Sequence, residues 1–164
     1  MREVAIEQIV RWCIYIAVLN LTVSVAITVP VIVPEFTFPL ILTIWPGTWI
    51  LIAYFVFLIV AVLGFLGWAL LLGLMRKYFG RVALNKYLTI THLSLTLFGV
   101  YGETSLMFTV GYLGGYAALV GIGRAVITQQ IIGWMVVPIG IFIYLYLLGT
   151  IAGIASLFFA RRLG

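Results

Sequence analysis

The groups in this chain that could do chemistry crowd into one stretch, THLSLTLFGVYGETS at residues 91–105, which holds the single histidine, His92, and the glutamate Glu103. On a helix turning 100° per residue, His92, Thr96, Gly99 and Glu103 fall within about 40° of one line and form a polar stripe that should face protein or water rather than lipid. A neutral imidazole can ligate iron, hydrogen-bond a quinone or relay a proton near neutral pH, so His92 is a candidate haem or quinone site. A plain interfacial histidine, hydrogen-bonded to a neighbouring helix, would explain the same residue. Glu103 would lie about 16 Å along the axis from His92, out of its reach. An ionised carboxylate in a bilayer costs a few kcal/mol, so Glu103 must be protonated, interfacial or paired. Arg124 is a candidate ion-pair partner, if residues 111–123 fold back, with Asn20 and Thr22 as alternative hydrogen-bonding groups.

These residues need a scaffold, and the composition defines its class. The chain has 164 residues, 65% hydrophobic and 8% charged, with a mean hydropathy of +1.30. Soluble domains carry about 25% charged residues, so we expect an integral membrane protein. Long unbroken apolar runs lack the alternation of a barrel, and in lipid only helices or closed barrels satisfy their own backbone. The expected fold is all-α, one membrane domain over residues 1–164, built as a bundle of four transmembrane helices. Spans are expected at about 9–33, 49–75, 88–112 and 131–160, each near the roughly 20 residues a crossing needs. The glycine-rich stretch 113–128 is expected to leave the third helix as an interfacial or re-entrant piece.

Orientation follows from the basic residues. Arg2 and Arg11 stand at the head of the first span, Arg76, Lys77, Arg81 and Lys86 join the second to the third, and Arg161 and Arg162 follow the fourth. Only Arg124 falls on the opposite side. The positive-inside rule then makes both termini cytoplasmic in a multi-pass protein of the cell membrane. The net charge of +5 reflects this topology, with lipid rather than nucleic acid as the partner. The first segment has basic flanks and the small-residue run SVA at 24–26, as signal peptides do, and is expected to persist as a first span or signal anchor. Residues 34–49 carry Pro34, Pro39 and Pro46 with Trp45 and Trp49, and are expected on the outer surface.

Helix packing has its own signals. Gly111 with Gly115, and Gly149 with Gly153, fit the GxxxG spacing that lets helices approach closely. Pro138 should kink the fourth helix, since its ring removes a backbone donor. Only two asparagines and three glutamines occur, which fits a thermophile.

HLSLTLFGVYG at residues 92–102 resembles the histidine-bearing helix of the haem-copper oxidase and nitric-oxide reductase superfamily, whose reductases carry a run of the form HxHxxLFGVYG. The resemblance implies that His92 matches the histidine that binds the high-spin haem, with Phe98 to Gly102 matching the run that follows. Ser94 stands where the family's low-spin haem ligand would be, and the further histidines of the copper site are missing. The match covers eleven residues and implies an oxidase-like accessory subunit of the respiratory chain rather than an enzyme.

Other chemistry is excluded by inventory. The chain has no aspartate, and Glu3, Glu7 and Glu35 lie outside the apolar spans, so no carboxylate pair forms in the bundle. A lone Cys13 allows neither an intrachain disulfide nor a cysteine metal cluster. The leading expectation is therefore a small accessory subunit in electron transport, packed against other membrane subunits. Two others stand beside it: a homo-oligomeric transporter or proton conductor using Glu103 and His92, and a haem- or quinone-binding protein using His92.

Overall fold

The computed structural model describes residues 3–32, 35 and 37–162, so Arg2, Val33 and Pro34 lie outside the described residues. The chain runs β1 (Glu3–Ala5), α1 (Ile6–Ile32), α2 (Phe38–Leu42), α3 (Trp49–Phe79), β2 (Arg81–Asn85), α4 (Lys86–Leu119), α5 (Arg124–Phe158) and β3 (Arg161–Arg162). Four of these helices, α1, α3, α4 and α5, are long and apolar enough to cross a membrane. Apart from the short strands, the fold is all-α.

Each long helix packs chiefly on its neighbours in sequence. The first turns of α3, Trp49–Val56, lie against α4, whereas its last turns, Phe65–Phe79, lie against α1. Helix α3 therefore leans away from α4 towards α1 along its length. Between its two ends the backbone widens into a π-helical stretch, Phe57–Gly64. Helices α4 and α5 form an antiparallel pair in contact along their length, the most extensive helix contact in the molecule.

A feature without a signal in the hydropathy pattern closes one end. Strand β2 pairs antiparallel with β1 (Val4 opposite Leu84) and with β3 (Ala83 opposite Arg161), so a three-stranded sheet ties both ends of the described chain to the central connection. Gly80, at φ 62°, ends α3 in the left-handed conformation and turns the chain into β2. Glu7 pairs with Arg76, Glu3 with Arg161 at 3.1 Å, and Arg81 donates to the Ala160 carbonyl. Beneath the sheet, Val4, Ile6, Ile9, Cys13, Phe65 and Leu72 share a buried cluster with Leu84, Leu93 and Ala160.

The third helix differs from expectation. It does not stop near residue 112: α4 continues to Leu119, a helix of 34 residues, and the chain turns over residues 120–123 before α5. The glycines that suggested a break are contact points instead. Ideal Cβ atoms at Gly111 and Gly115 would meet Ile50 N at 2.8 Å and the Leu40 carbonyl oxygen at 3.4 Å, and one at Gly114 would collide with Pro46. The 34–49 connection thus packs its described part into the end of α4 rather than only lying on the surface. Gly121, at φ 84°, then reverses the chain into α5, which starts at Arg124 and contains Pro138 without being broken by it.

Candidate functional site

Asn85 fixes where α4 begins: its side chain accepts from the backbone N–H of Tyr87 at 3.0 Å and Leu88 at 3.2 Å, a helix N-cap. Six residues past Lys86, about 9 Å into the helix, His92 is buried, and so are Thr96 and Gly99 on the same face. That face meets α5, and the glycines of α5 bring it close. An ideal Cβ at Gly153 would meet His92 Nδ1 at 2.7 Å, and one at Gly149 would meet Thr96 Oγ1 at 2.8 Å. Gly99 returns the fit from the other side, since its Cβ would meet Tyr146 N at 2.7 Å. Three of the four stripe residues therefore line a helix contact.

The contact orients the imidazole. Gly149 O lies 2.9 Å from His92 Nδ1, and a carbonyl only accepts, so Nδ1 carries the proton and donates. Thr96 Oγ1 lies 3.3 Å from the same nitrogen. In the neutral ring, Nε2 is then the acceptor, with its lone pair free for a ligand. The Trp68 ring, from α3, leans against the imidazole with centroids 4.5 Å apart at 45°. Its indole N–H is buried and has no hydrogen-bond acceptor among the described residues.

Both groups line a cleft of about 300 Å³ where α3 diverges from α4 and α5. Ile59, Val60 and Gly64 of the π-helical stretch form one wall, and Tyr146 and Thr150 of α5 the other. π-helical turns often mark functional sites, and this one lies beside the cleft. It is held from behind: Asn20 of α1 donates to the Ala61 carbonyl at 2.6 Å and accepts from the Tyr101 hydroxyl at 2.7 Å.

Glu103 stands apart. It is half-buried and has no hydrogen bond or ion pair among the described residues, and the expected pairing with Arg124 is not formed. The cause is the length of α4: Glu103 sits 16 residues, about 24 Å, before the helix end, whereas Arg124 lies past the turn. The Arg124 guanidinium instead covers the Trp45 ring, 4.7 Å from its centroid. Asn20 is occupied as described, and Thr22 donates to Val18 O of its own helix at 3.1 Å, so neither serves Glu103.

Trp68, Tyr146 and Thr150 were not singled out from sequence. Tyr146, Gly149, Thr150 and Gly153 follow the i, i+3, i+4, i+7 spacing of one helix face, which marks the α5 side of the cleft. Trp68 carries no such mark, because its register against His92 depends on the lean of α3. No protein-family model, curated protein or solved structure matches the chain.

Proposed function

We propose that this chain is a multi-pass membrane protein with both termini cytoplasmic, acting as an accessory subunit of an electron-transfer complex, and that its own contribution is a quinol head-group site at His92. One observation carries the site: a buried histidine whose Nδ1–H is held by Gly149 O, leaving Nε2 as an acceptor at a cleft that the Trp68 side chain also lines, with the Trp68 indole N–H buried beside it and without an acceptor among the described residues. One acceptor and one donor in an apolar cleft match a ring with a hydroxyl and a second oxygen. His92 Nε2 accepts the hydroxyl, Trp68 donates to the other oxygen, and Ile59, Val60 and Phe65 exclude water. Oxidation of the quinol to the quinone breaks its two O–H bonds. The two electrons go to a redox centre of a partner subunit, the first proton goes to His92 Nε2 and from there to water, and the second is released to water directly.

Haem is the alternative that the oxidase resemblance of residues 92–102 implies. Ligand pockets span about 300–1,000 Å³, and a cleft at the lower bound fits a single ring better than a macrocycle. The membrane and topology readings rest on the four long apolar helices and on Arg76, Lys77, Arg81, Lys86 and Arg161 gathering at the sheet end, opposite Arg124. Exposed aromatic side chains such as Tyr15, Phe55, Tyr144 and Phe158 leave faces for lipid or partner helices.

The test is gentle solubilisation followed by a redox difference spectrum, quinone extraction and identification of co-purifying subunits. Quinone lost from His92→Phe, together with respiratory subunits, supports the proposal; a Soret band lost from the same variant replaces quinol by haem. A colourless, quinone-free homo-oligomer overturns both. In that case half-buried Glu103, without a partner among the described residues, favours proton conduction, read as a vesicle leak abolished by Glu103→Gln.

A further inference from the structure

Away from His92, a second concavity lies where the start of α1 meets the end of α3, near the sheet. Its walls are Ile6, Val10 and Gly73, and its rim carries Arg11, Arg76 and Lys77 against one carboxylate, Glu7. Its volume is about 570 Å³. Glu7 and Arg76 are paired, so Arg11 and Lys77 remain as exposed cations in excess of the acidic charge. Lys77 Nζ sits 5.3 Å from the centre of the adjacent Tyr78 ring.

The concavity does not end there. A groove of about 370 Å³ leaves it between the same two helices, sharing Val10, Gly73 and Lys77 and continuing over Ile14, Leu66 and Leu70. Its lining beyond Lys77 is wholly apolar. Gly73 opens the junction, because a Cβ there would meet nothing within 4 Å and a larger side chain would project into the passage.

A cationic basin joined end-on to an apolar groove has the polarity of one molecule class. We propose that this surface binds an anionic phospholipid, its phosphate between Arg11 and Lys77 and one acyl chain along Ile14, Leu66 and Leu70. Charge complementarity selects the headgroup, and the continuity of the two concavities selects a lipid over a free phosphate. Arg11 lies five residues into α1 and Gly73 six before the end of α3, so the basin is within about 10 Å of the sheet end, at the depth of headgroups. The inference rests on the membrane reading, with the basic end facing the anionic leaflet.

The experiment reconstitutes the full chain in nanodiscs of mixed phosphatidylglycerol and phosphatidylcholine, then counts retained lipids by native mass spectrometry after detergent release. Wild type should keep one phosphatidylglycerol per chain in preference to phosphatidylcholine. Arg11→Gln with Lys77→Gln should lower that preference about fivefold per charge removed. Gly73→Leu, with all charges intact, should lose the bound lipid while circular dichroism stays unchanged. Equal retention of both lipids by wild type, retention by the double variant, or displacement of the bound species by inorganic phosphate alone overturns the proposal. Carbonate extraction of cell membranes tests the membrane reading separately: a chain that resists extraction yet shows no lipid preference refutes this site only.

Discussion

Because Gly149 O accepts the Nδ1 proton at 2.9 Å, the chemistry left to His92 is that of Nε2 alone. A backbone carbonyl in this role fixes the tautomer and the ring orientation, as outer-shell partners of ligating histidines do. In the proposed site Trp68 would supply the complementary donor, and its nitrogen goes unpaired among the described residues. A buried donor without a partner costs about 1–3 kcal/mol, so a ligand oxygen at this point is favoured by removing that cost. Trp68→Phe should therefore keep the stacking on His92 but weaken head-group binding about tenfold, without lowering the unfolding midpoint. Equilibrium binding of a short-chain quinol, measured beside thermal unfolding, checks this. The stripe of His92, Thr96 and Gly99 was legible because residues on one helix face follow a fixed angular period. Its donor partner was not, since Trp68 reaches the site from another helix.

At the scale of the elements, small residues decide which helices approach. Gly149 and Gly153 let α5 lie on Thr96 and His92, and Gly99 lets α4 lie on Tyr146. Gly153→Leu should force α5 off α4 and destabilise the hairpin by about 1–3 kcal/mol, with loss of the cleft. Gly140→Ala is the control, since a Cβ there meets nothing within 4 Å, and helix propensity should make it neutral or stabilising by about 0.5–1 kcal/mol. Reversible unfolding in micelles separates the two. The GxxxG spacings in the sequence do mark contact faces, but not their occupants: Gly149 and Gly153 receive a helix, whereas Gly115 receives the 34–49 connection. The same glycines made residues 113–128 look like a break. Glycine lowers helix propensity locally, yet here the packing of Leu40, Pro46 and Ile50 into α4 outweighs that loss and the helix runs to Leu119.

At the scale of the molecule, the four long apolar helices were legible because a run of about 20 apolar residues has few other uses. The sheet was not, because strands of three, five and two residues are too short for a periodic signal and form only once α1, α3 and α5 bring their ends together. That sheet makes a topological prediction: residues 82 and 162 share one end of the molecule and residue 122 the other. In a Cys13→Ser background, Ile122→Cys should react with an impermeant maleimide applied to intact cells, and Val82→Cys only after lysis. The lean of α3 away from α4, propped by the Asn20 link to Ala61 O, is what leaves a cleft at His92. The most direct test of that cleft is quinol binding to the purified chain in nanodiscs, wild type against His92→Phe. The account predicts saturable binding of one quinol per chain, weakened at least tenfold in the variant. Binding that is unchanged in His92→Phe, or uptake that never saturates, would contradict it.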